Sequence, residues 1–256
     1  EDSSLSFVLN SNSTRLQEAI EKIQAFAQDS CAENILVTYV AAQSDVSTST
    51  EYFTVKGKDF LKTSLQGKPF FYPIQGFFQN NHAMAEKMQD YVSQLLQKYE
   101  TKDAQLLDLY GGVGTFGIVN AELFKEVLIL ESVNESIAYA QKNIQENACT
   151  HVQAKVLDAK YISRITFKKS FFVITDPPRV GMDEKTIFYL NQEKPHGIIY
   201  ISCNPQQLAK DIPKFRNYSI KSVALFDLFP QTPHSEAVVE LVLNDKIHTK
   251  EDSKEY

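Results

Sequence analysis

Seven short apolar runs, separated by segments with helical periodicity, occupy most of the sequence after residue 82. Continuous apolar runs of this length are typical of strands buried on both faces, as in a parallel sheet that helices cover. The last two runs have no convincing helix between them, so we expect them to pair antiparallel. The pattern predicts an α/β fold with a seven-stranded, mostly parallel sheet. The predicted strands are residues 105–109, 127–131, 152–157, 171–175, 197–202, 220–225 and 238–242.

The first 75 residues differ in texture and predict a small N-terminal α+β part. Apolar residues fall on one face of a predicted helix over residues 13–28, and Thr14 with Gln17 can form a capping box at its start. The remainder of this part is predicted to contain strands and turns. The predicted organisation is an α+β region at 1–75, a main domain at 76–244 and a charged tail at 245–256.

Cysteine and histidine usage gives no indication of a metal centre. Cys31, Cys149 and Cys203 are far apart and none forms a CxxC pair, and the five histidines lack metal-ligand spacing. We therefore expect reduced thiols, no bound metal and no iron–sulfur cluster.

Composition excludes several classes of protein. Basic residues number 26 and acidic residues 32, so any nucleic-acid contact must rest on a local site and not on bulk charge. No apolar run reaches the roughly 18 residues that a spanning helix needs, so no membrane partner is expected. The polar, acidic N-terminus is not a signal peptide. These features predict a cytoplasmic protein, with a monomer as the default oligomeric state.

A glycine-rich turn follows the first predicted strand of the main domain. Gly112, Gly114 and Gly117 match GxGxxG in a strand–turn–helix context, which is typical of a cofactor site. Glu131 ends the next predicted strand, where a carboxylate can accept both hydroxyls of a ribose. Both NAD and S-adenosylmethionine (SAM) carry such a ribose. Asp108 favours SAM, because SAM has cationic sulfonium and amino groups.

Residues 176–179, DPPR, follow the strand at 171–175. Two prolines after Asp176 make a rigid, extended turn, which suits a site that holds a planar base. An aromatic residue in place of Arg179 would have suggested methylation of an exocyclic amine. Arg179 instead offers a contact to a phosphate or a carbonyl.

Residues 202–205, SCNP, follow the strand at 197–202 and precede a predicted helix at 205–212. A lone cysteine is usually a small core residue, but polar neighbours favour the interpretation of Cys203 as a nucleophile. Backbone N–H groups and the helix dipole are expected to lower the pKa of its thiol.

Glu236 is placed at the start of the last buried strand. Partial desolvation of a carboxylate there is expected to raise its pKa, as a general base requires. His234 could do the same chemistry, so the local sequence leaves both open.

Taken together, these segments resemble the SAM-dependent RNA 5-methyluridine (uracil-C5) methyltransferases. The resemblance implies a Rossmann-like class I SAM methyltransferase fold, SAM as cofactor and RNA as partner, with Cys203 as nucleophile and Glu236 as base. The positions that match cofactor contacts are Gln79, Tyr110, Thr115, Glu131, Asp158 and Asp176. The five matching segments, in order, are FFQNN at 77–81, DLYGGVG at 108–114, DPPR at 176–179, SCNP at 202–205 and PHSE at 233–236.

The implied reaction explains these residue types. Uracil C5 is a poor nucleophile until a thiolate adds to C6. Cytosine-C5 enzymes of RNA use a second cysteine for release, in the turn that Asp176 to Arg179 occupy here, so uracil and a carboxylate base are favoured. A base in folded RNA must be flipped out to react. Ribosomal RNA is favoured over tRNA as the substrate.

Three other functions stay open. The chain could be a SAM methyltransferase that acts on another RNA base, or a nicotinamide-dependent oxidoreductase, to which Cys203 and Glu236 would be superfluous. It could also be an RNA-binding relative without turnover. Members of the resembled family often carry an OB-like RNA-binding domain, which is not visible here. The resemblance implies that residues 1–75 are only part of the family's central RNA-contacting region and that residues 76–244 are the SAM-dependent methyltransferase domain.

Overall fold

The computed structural model describes residues 3–43, 49–167 and 170–244. The predicted tail at 245–256 lies outside these residues. Contacts divide the chain into two compact units. Unit 1 comprises residues 1–64 and 69–78, and unit 2 comprises residues 65–68 and 79–256. The domain boundaries expected from the sequence stay predictions.

Unit 1 contains a three-stranded sheet and one helix. The elements are β1 (Ser4–Asn10), α1 (Leu16–Asp29), β2 (Asn34–Val40) and β3 (Tyr52–Lys56). β2 lies in the middle, parallel to β1 and antiparallel to β3. Ile23 and Ala27 of α1 pack on Ile35 and Val37 of β2 to form its core. A separate pair, β4 (Phe60–Leu65) and β5 (Lys68–Pro73), follows.

The capping box predicted for the first helix is wrong. The helix begins at Leu16, and its N-cap Arg15 makes no side-chain cap hydrogen bond. Because the helix starts later than predicted, Thr14 is not at the N-cap position that the capping box requires. Gln17 donates its side-chain amide to Glu21 (2.9 Å) instead.

Unit 2 contains the predicted seven-stranded sheet, which confirms the α/β fold class. The strand order is β11-β12-β10-β9-β6-β7-β8; the pairs among β10, β9, β6, β7 and β8 are parallel, and β12 pairs antiparallel with β10 and β11. The strands are β6 (Gln105–Leu109), β7 (Glu126–Glu131), β8 (Val152–Val156), β9 (Phe171–Thr175), β10 (Gly197–Ser202), β11 (Tyr218–Phe226) and β12 (Glu236–Leu243). The helices are α2 (His82–Leu96), α3 (Thr115–Val119), α4 (Asn134–Glu146), α5 (Glu184–Glu193) and α6 (Pro205–Asp211).

Burial on both faces explains the continuous apolar runs of the inner strands, whereas the edge strands β8 and β11 are largely exposed. The main core cluster contains Leu107, Val173, Tyr200 and Val239 from four neighbouring strands. Helix α2 buries its own apolar stripe, including Met88. Each fully buried aliphatic side chain stabilises the fold by about 1.5–3 kcal/mol.

Candidate active site

The strand register brings the carboxyl ends of the central strands to one edge of the sheet. Leu109 pairs with Thr175 of β9, and Tyr200 of β10 also pairs with Thr175. Ser202 at the end of β10 pairs with Ala237, next to Glu236 at the start of the antiparallel strand β12. The glycine-rich, DPPR and SCNP turns and Glu236 therefore share this edge, as ligand sites do in open α/β sheets.

The glycine-rich turn packs directly on β7. Gly114 caps α3 in the left-handed conformation (φ 89°), which favours glycine. A Cβ on Gly117 would lie 2.8 Å from Ile129 Cγ1, so a side chain does not fit there. Tyr110 also has a positive φ (57°), and Thr115, half-buried, is the first residue of α3. The turn thus places the predicted contacts Tyr110 and Thr115 at the carboxyl edge.

Glu131 ends β7 and is held by backbone donors. Its Oε2 accepts from the Gly112 N–H (3.2 Å), and its Oε1 accepts from the Ser132 N–H (2.6 Å) and the Val133 N–H (2.9 Å). The half-buried carboxylate therefore has a defined orientation beside the glycine-rich turn. The ribose contact expected of Glu131 stays a prediction.

Asp108 is buried beneath the same turn, with 1% of its surface exposed. Its Oδ2 accepts from the Gly117 N–H (2.8 Å), whereas its Oδ1 has no hydrogen-bond partner within the part of the chain that the structure describes. Burial raises the pKa of this carboxyl to about 7, with the Gly117 hydrogen bond opposing the shift and the Glu131 charge adding to it. The site therefore contains a buried acid with one unused oxygen.

The FFQNN segment places Gln79 in unit 2, just before α2. The Gln79 Oε1 atom is buried and accepts no hydrogen bond from any residue in 3–43, 49–167 or 170–244. Asn81 caps α2 by accepting from the Met84 N–H (3.3 Å), and its amide donates to the Leu228 carbonyl (3.1 Å). The segment is thus tied to the loop that leads to Glu236.

Asp176 lies directly after β9 and is half-buried. Its N–H donates to the Leu109 carbonyl (3.3 Å), which continues the β6–β9 pairing. Burial raises the pKa of its carboxyl well above the usual value, and the charges of Glu236 and Asp108 raise it further. Asp176 therefore belongs to a group of three acids at this edge.

Cys203 lies beyond the end of β10 and is half-buried. The predicted lowering of its thiol pKa is wrong. Burial raises that pKa, and so do the charges of Glu236 and Asp176, while the Arg179 guanidinium lowers it by attraction and hydrogen bonding. The N-cap of the short helix α6 is Asn204 and not Cys203, and the Asn204 side chain accepts from the Gln207 N–H (3.2 Å).

Glu236 is the first residue of β12 and is 3% exposed. Burial raises the pKa of its carboxyl, which confirms the predicted direction, and the Arg179 charge opposes the shift. His234 is exposed, with its ring against Phe229. Burial therefore distinguishes Glu236 from His234, which the sequence left open.

Asp158 lies beyond the end of β8, at the outer strand of the sheet, and is not brought next to Cys203. Its Oδ1 accepts from the Lys160 N–H (3.1 Å), and its Oδ2 forms an ion pair with Lys160 Nζ (2.6 Å). That interaction lowers the pKa of the carboxyl.

Sequence reasoning missed one polar group behind the site. Tyr200 donates its hydroxyl to the buried carboxylate of Asp211 (2.8 Å), and both accept from the Met182 N–H in the segment after DPPR. The available signal was a tyrosine inside an apolar run, since a buried phenol requires a hydrogen-bond partner.

The described residues form no metal site and no membrane-spanning helix, and one cavity lies away from the carboxyl edge. Across residues 3–43, 49–167 and 170–244, no three His, Cys, Asp or Glu side chains are grouped so as to hold a metal ion. Helices in the same ranges are too short or too polar to cross a bilayer. A cavity of about 320 Å³ lies beside the amino ends of β6 and β7, away from the carboxyl edge, and is lined in part by Gln105, His151 and Arg164.

The fold and the edge together define a Rossmann-like methyltransferase domain of the class I type. The chain belongs to the tRNA (uracil-5-)-methyltransferase family, whose model matches residues 45–244. This confirms the resemblance found in the sequence.

Individual relatives agree with this assignment. The tRNA (uracil(54)-C(5))-methyltransferase of Pyrococcus horikoshii is 37% identical over 78% of this chain and 47% of its own length. An RNA methyltransferase of Listeria monocytogenes, named as uncharacterized, is 32% identical over 96% of this chain and 54% of its own. The chain thus spans about half the length of the curated relatives it matches.

Solved structures show the same fold. The Pyrococcus abyssi tRNA (uracil-54, C5)-methyltransferase, crystallised with S-adenosyl-L-homocysteine, has a TM-score of 0.74 at 30% identity, over 94% of this chain and 57% of that one. The M. jannaschii tRNA m1G37 methyltransferase has a TM-score of 0.61 at 14% identity, over 95% of this chain and 71% of that one. The second likeness concerns the fold alone.

Proposed function

We propose that this chain methylates uracil C5 in RNA with SAM as the methyl donor. The observation that carries the proposal is the placement of a thiol and a buried acid together at the cofactor edge. Glu236 lies close enough to Cys203 for its charge to raise the pKa of the thiol. A nicotinamide-dependent oxidoreductase has no use for this pair, whereas uracil-C5 methylation requires both a nucleophile and a base.

The residues at the glycine-rich turn fit SAM. Asp108 Oδ1 and Gln79 Oε1 are buried acceptors without a partner among the residues described, which suits a ligand that carries an ammonium group and a sulfonium. Glu131 is oriented to receive two ribose hydroxyls. When bound, SAM supplies an electrophilic methyl group. We assign its contacts to Gln79, Tyr110, Thr115, Glu131, Asp158 and Asp176, with Asp158 on the adenine side.

Cys203 begins the reaction on the uracil ring. Its thiolate adds to C6, and the electrons of the C5–C6 double bond move onto C5 and O4 as an enolate. C5 thereby becomes the nucleophile that accepts the methyl group, and the electron pair of the broken methyl–sulfur bond would stay on the sulfur of the donor. Because burial and two neighbouring acids raise the pKa of the free thiol, Cys203 must lose a proton for this step. Arg179 favours the thiolate and offers a contact to a substrate carbonyl or phosphate.

Glu236 ends the reaction. After methylation, C5 carries both a hydrogen and a methyl group. The Glu236 carboxylate removes the C5 proton, the electrons re-form the C5–C6 double bond, and the C6–S bond breaks to release the Cys203 thiolate. A buried carboxylate with a raised pKa is a stronger base than an exposed one, which is why its position at the start of β12 matters.

We propose tRNA as the first substrate to test, because the named relatives from both Pyrococcus species are tRNA enzymes. The preference for ribosomal RNA drawn from the sequence has no support among these names and stays a prediction. A cytoplasmic location and a monomeric state also stay predictions.

The test is mass spectrometry of nucleosides from unmodified tRNA and ribosomal RNA, each incubated with SAM and the chain. We expect new 5-methyluridine in one RNA. Cys203→Ala should abolish it, while Cys31→Ala, at an exposed cysteine, should not. RNA with 5-fluorouridine at the target should form an adduct with Cys203 that persists, because fluorine cannot leave as a proton. A methylated base other than uracil would contradict the proposal, and so would SAM binding without an adduct on any RNA.

A further inference from the structure

Asp211 is a completely buried carboxylate that no step of the proposed reaction uses. It ends α6, the helix that follows Cys203 and Asn204, and its relative exposure is 0%. Oδ2 accepts from the Tyr200 hydroxyl (2.8 Å) and the Met182 N–H (3.1 Å), while Oδ1 accepts from the Gln207 amide (3.1 Å) and Lys214 Nζ (3.1 Å). Four donors compensate for a burial that is otherwise costly.

The loop of residues 177–183, which follows Asp176, sits directly on this carboxylate. Gly181 has a φ of +85°, and a Cβ there would lie 2.3 Å from Asp211 Oδ2. The next residue, Met182, donates its N–H to both Asp211 and the Tyr200 hydroxyl (3.2 Å). The close approach to Asp211 leaves no room for a side chain at position 181. The hydrogen bonds of the Met182 N–H therefore hold the backbone of the loop at this point.

A second hydrogen bond holds the same loop at Arg179. The Asn204 amide donates to the Arg179 carbonyl (3.0 Å), and Asn204 is the immediate neighbour of Cys203. Arg179 itself is exposed, yet its guanidinium interacts with the Cys203 thiol. Holding the Arg179 backbone limits where its guanidinium can reach, which matters because an exposed arginine side chain has many rotamers.

We propose that Asp211 is a positioning residue, whose buried carboxylate, with Tyr200, holds the loop of residues 177–183 so that Arg179 lies beside Cys203. The inference rests on the proposed function, since it gives Asp211 a part in preparing the nucleophile. It differs from a general contribution to stability, because it predicts an effect on one thiol.

The test measures how fast iodoacetamide alkylates Cys203 as a function of pH, without RNA or SAM. A Cys31→Ala background removes the exposed thiol, and peptide mass spectrometry follows Cys203. Three carboxylate or guanidinium groups act on the thiol, namely Glu236, Asp176 and Arg179. Arg179→Ala is expected to move the alkylation midpoint to higher pH and to slow the reaction about threefold near neutrality.

Asp211→Asn is expected to reproduce the Arg179→Ala profile, and the double variant to add nothing, because both changes remove one contact. Tyr200→Phe keeps the buried ring and removes only the hydroxyl. If Asp211→Asn does not fold, the Cys203 alkylation profile of Tyr200→Phe tests the proposal in its place. Glu184→Gln is the matched control, since it removes an exposed carboxylate (84% side-chain exposure) that pairs with Lys214, the residue that also donates to Asp211. A wild-type profile in both Asp211→Asn and Tyr200→Phe would overturn the proposal, as would an unchanged profile in Arg179→Ala.

The alkylation profiles, compared with the methylation assay, separate this inference from the proposed function. If the wild-type chain methylates no RNA while the variants still shift the Cys203 profile, the proposed function fails and the positioning by Asp211 stands. If methylation occurs but the profiles coincide, only the positioning fails.

Discussion

Substitution of Asp108 by asparagine should change how stability depends on pH. The carboxyl of Asp108 has a usual pKa of 3.8 and a folded-state pKa of about 7. Because the folded-state value is the higher one, the folded protein binds this proton more tightly than the unfolded chain does. Its contribution to stability is therefore fully present below about pH 4 and is lost as the pH rises through about 7.

The size of the effect follows from the two pKa values of Asp108. A difference of roughly 3 units corresponds to about 4 kcal/mol across the whole range, and about 2.5 kcal/mol of it falls between about pH 5 and pH 8. Asparagine does not titrate, so Asp108→Asn should lack this loss. The variant can still accept the Gly117 hydrogen bond through its amide oxygen.

The assay is urea unfolding of the wild type and of Asp108→Asn at about pH 5 and pH 8, in the absence of SAM. The variant should gain about 2.5 kcal/mol relative to the wild type over that interval. Asp103→Asn, at an acid whose side chain is 100% exposed, is the control and should follow the wild type. Parallel pH dependence in the wild type and in Asp108→Asn would refute the reasoning that a buried, half-partnered acid sits beneath the glycine-rich turn.

Three further predictions concern the same edge of the sheet. Gly117→Ala places a Cβ 2.8 Å from Ile129 and 3.0 Å from the Asp108 carboxylate. It should therefore destabilise the fold by about 1–3 kcal/mol, measured by thermal unfolding. An unchanged Tm would contradict the close packing of the glycine-rich turn on β7. Glu236→Gln should lower turnover at least about 100-fold while allowing a covalent RNA adduct to accumulate on denaturing gels; normal turnover would exclude Glu236 as the base. The same variant removes a charge that raises the pKa of Cys203, so alkylation of that thiol should begin at lower pH than in the wild type, and a shift to higher pH would contradict the assignment.

Local sequence patterns were sufficient to predict the strands of the main sheet and part of the site. The seven apolar runs correspond to the seven strands of the main sheet. The inner strands β9 and β10 are buried along their whole length and are therefore apolar almost throughout, whereas the edge strands β8 and β11 are largely exposed and carry polar residues. The position of Glu236 at the start of such a run predicted a buried acid with a raised pKa, and the structure has one. These features depend on neighbours along the chain, so the sequence contains them.

Element ends and capping contacts were predicted less well. The helix expected over residues 13–28 begins at Leu16, and the capping contact between Thr14 and Gln17 does not form. Propensity near a helix start differs little from one residue to the next, so a sequence pattern locates a helix end only to within a few residues.

Local sequence patterns predicted the α/β architecture, the glycine-rich turn at Gly112 and Gly114, and the strand ends that carry Cys203 and Glu236. The electrostatics of the thiol arise only in the folded chain, and so does the contact of Asp211 with Met182, 29 residues away along the chain. Desolvation and Coulomb interaction depend on distances through space between strands that the sheet order makes neighbours. That order is a property of the assembled sheet, so no local pattern around Cys203 could have shown that two acids would raise its pKa.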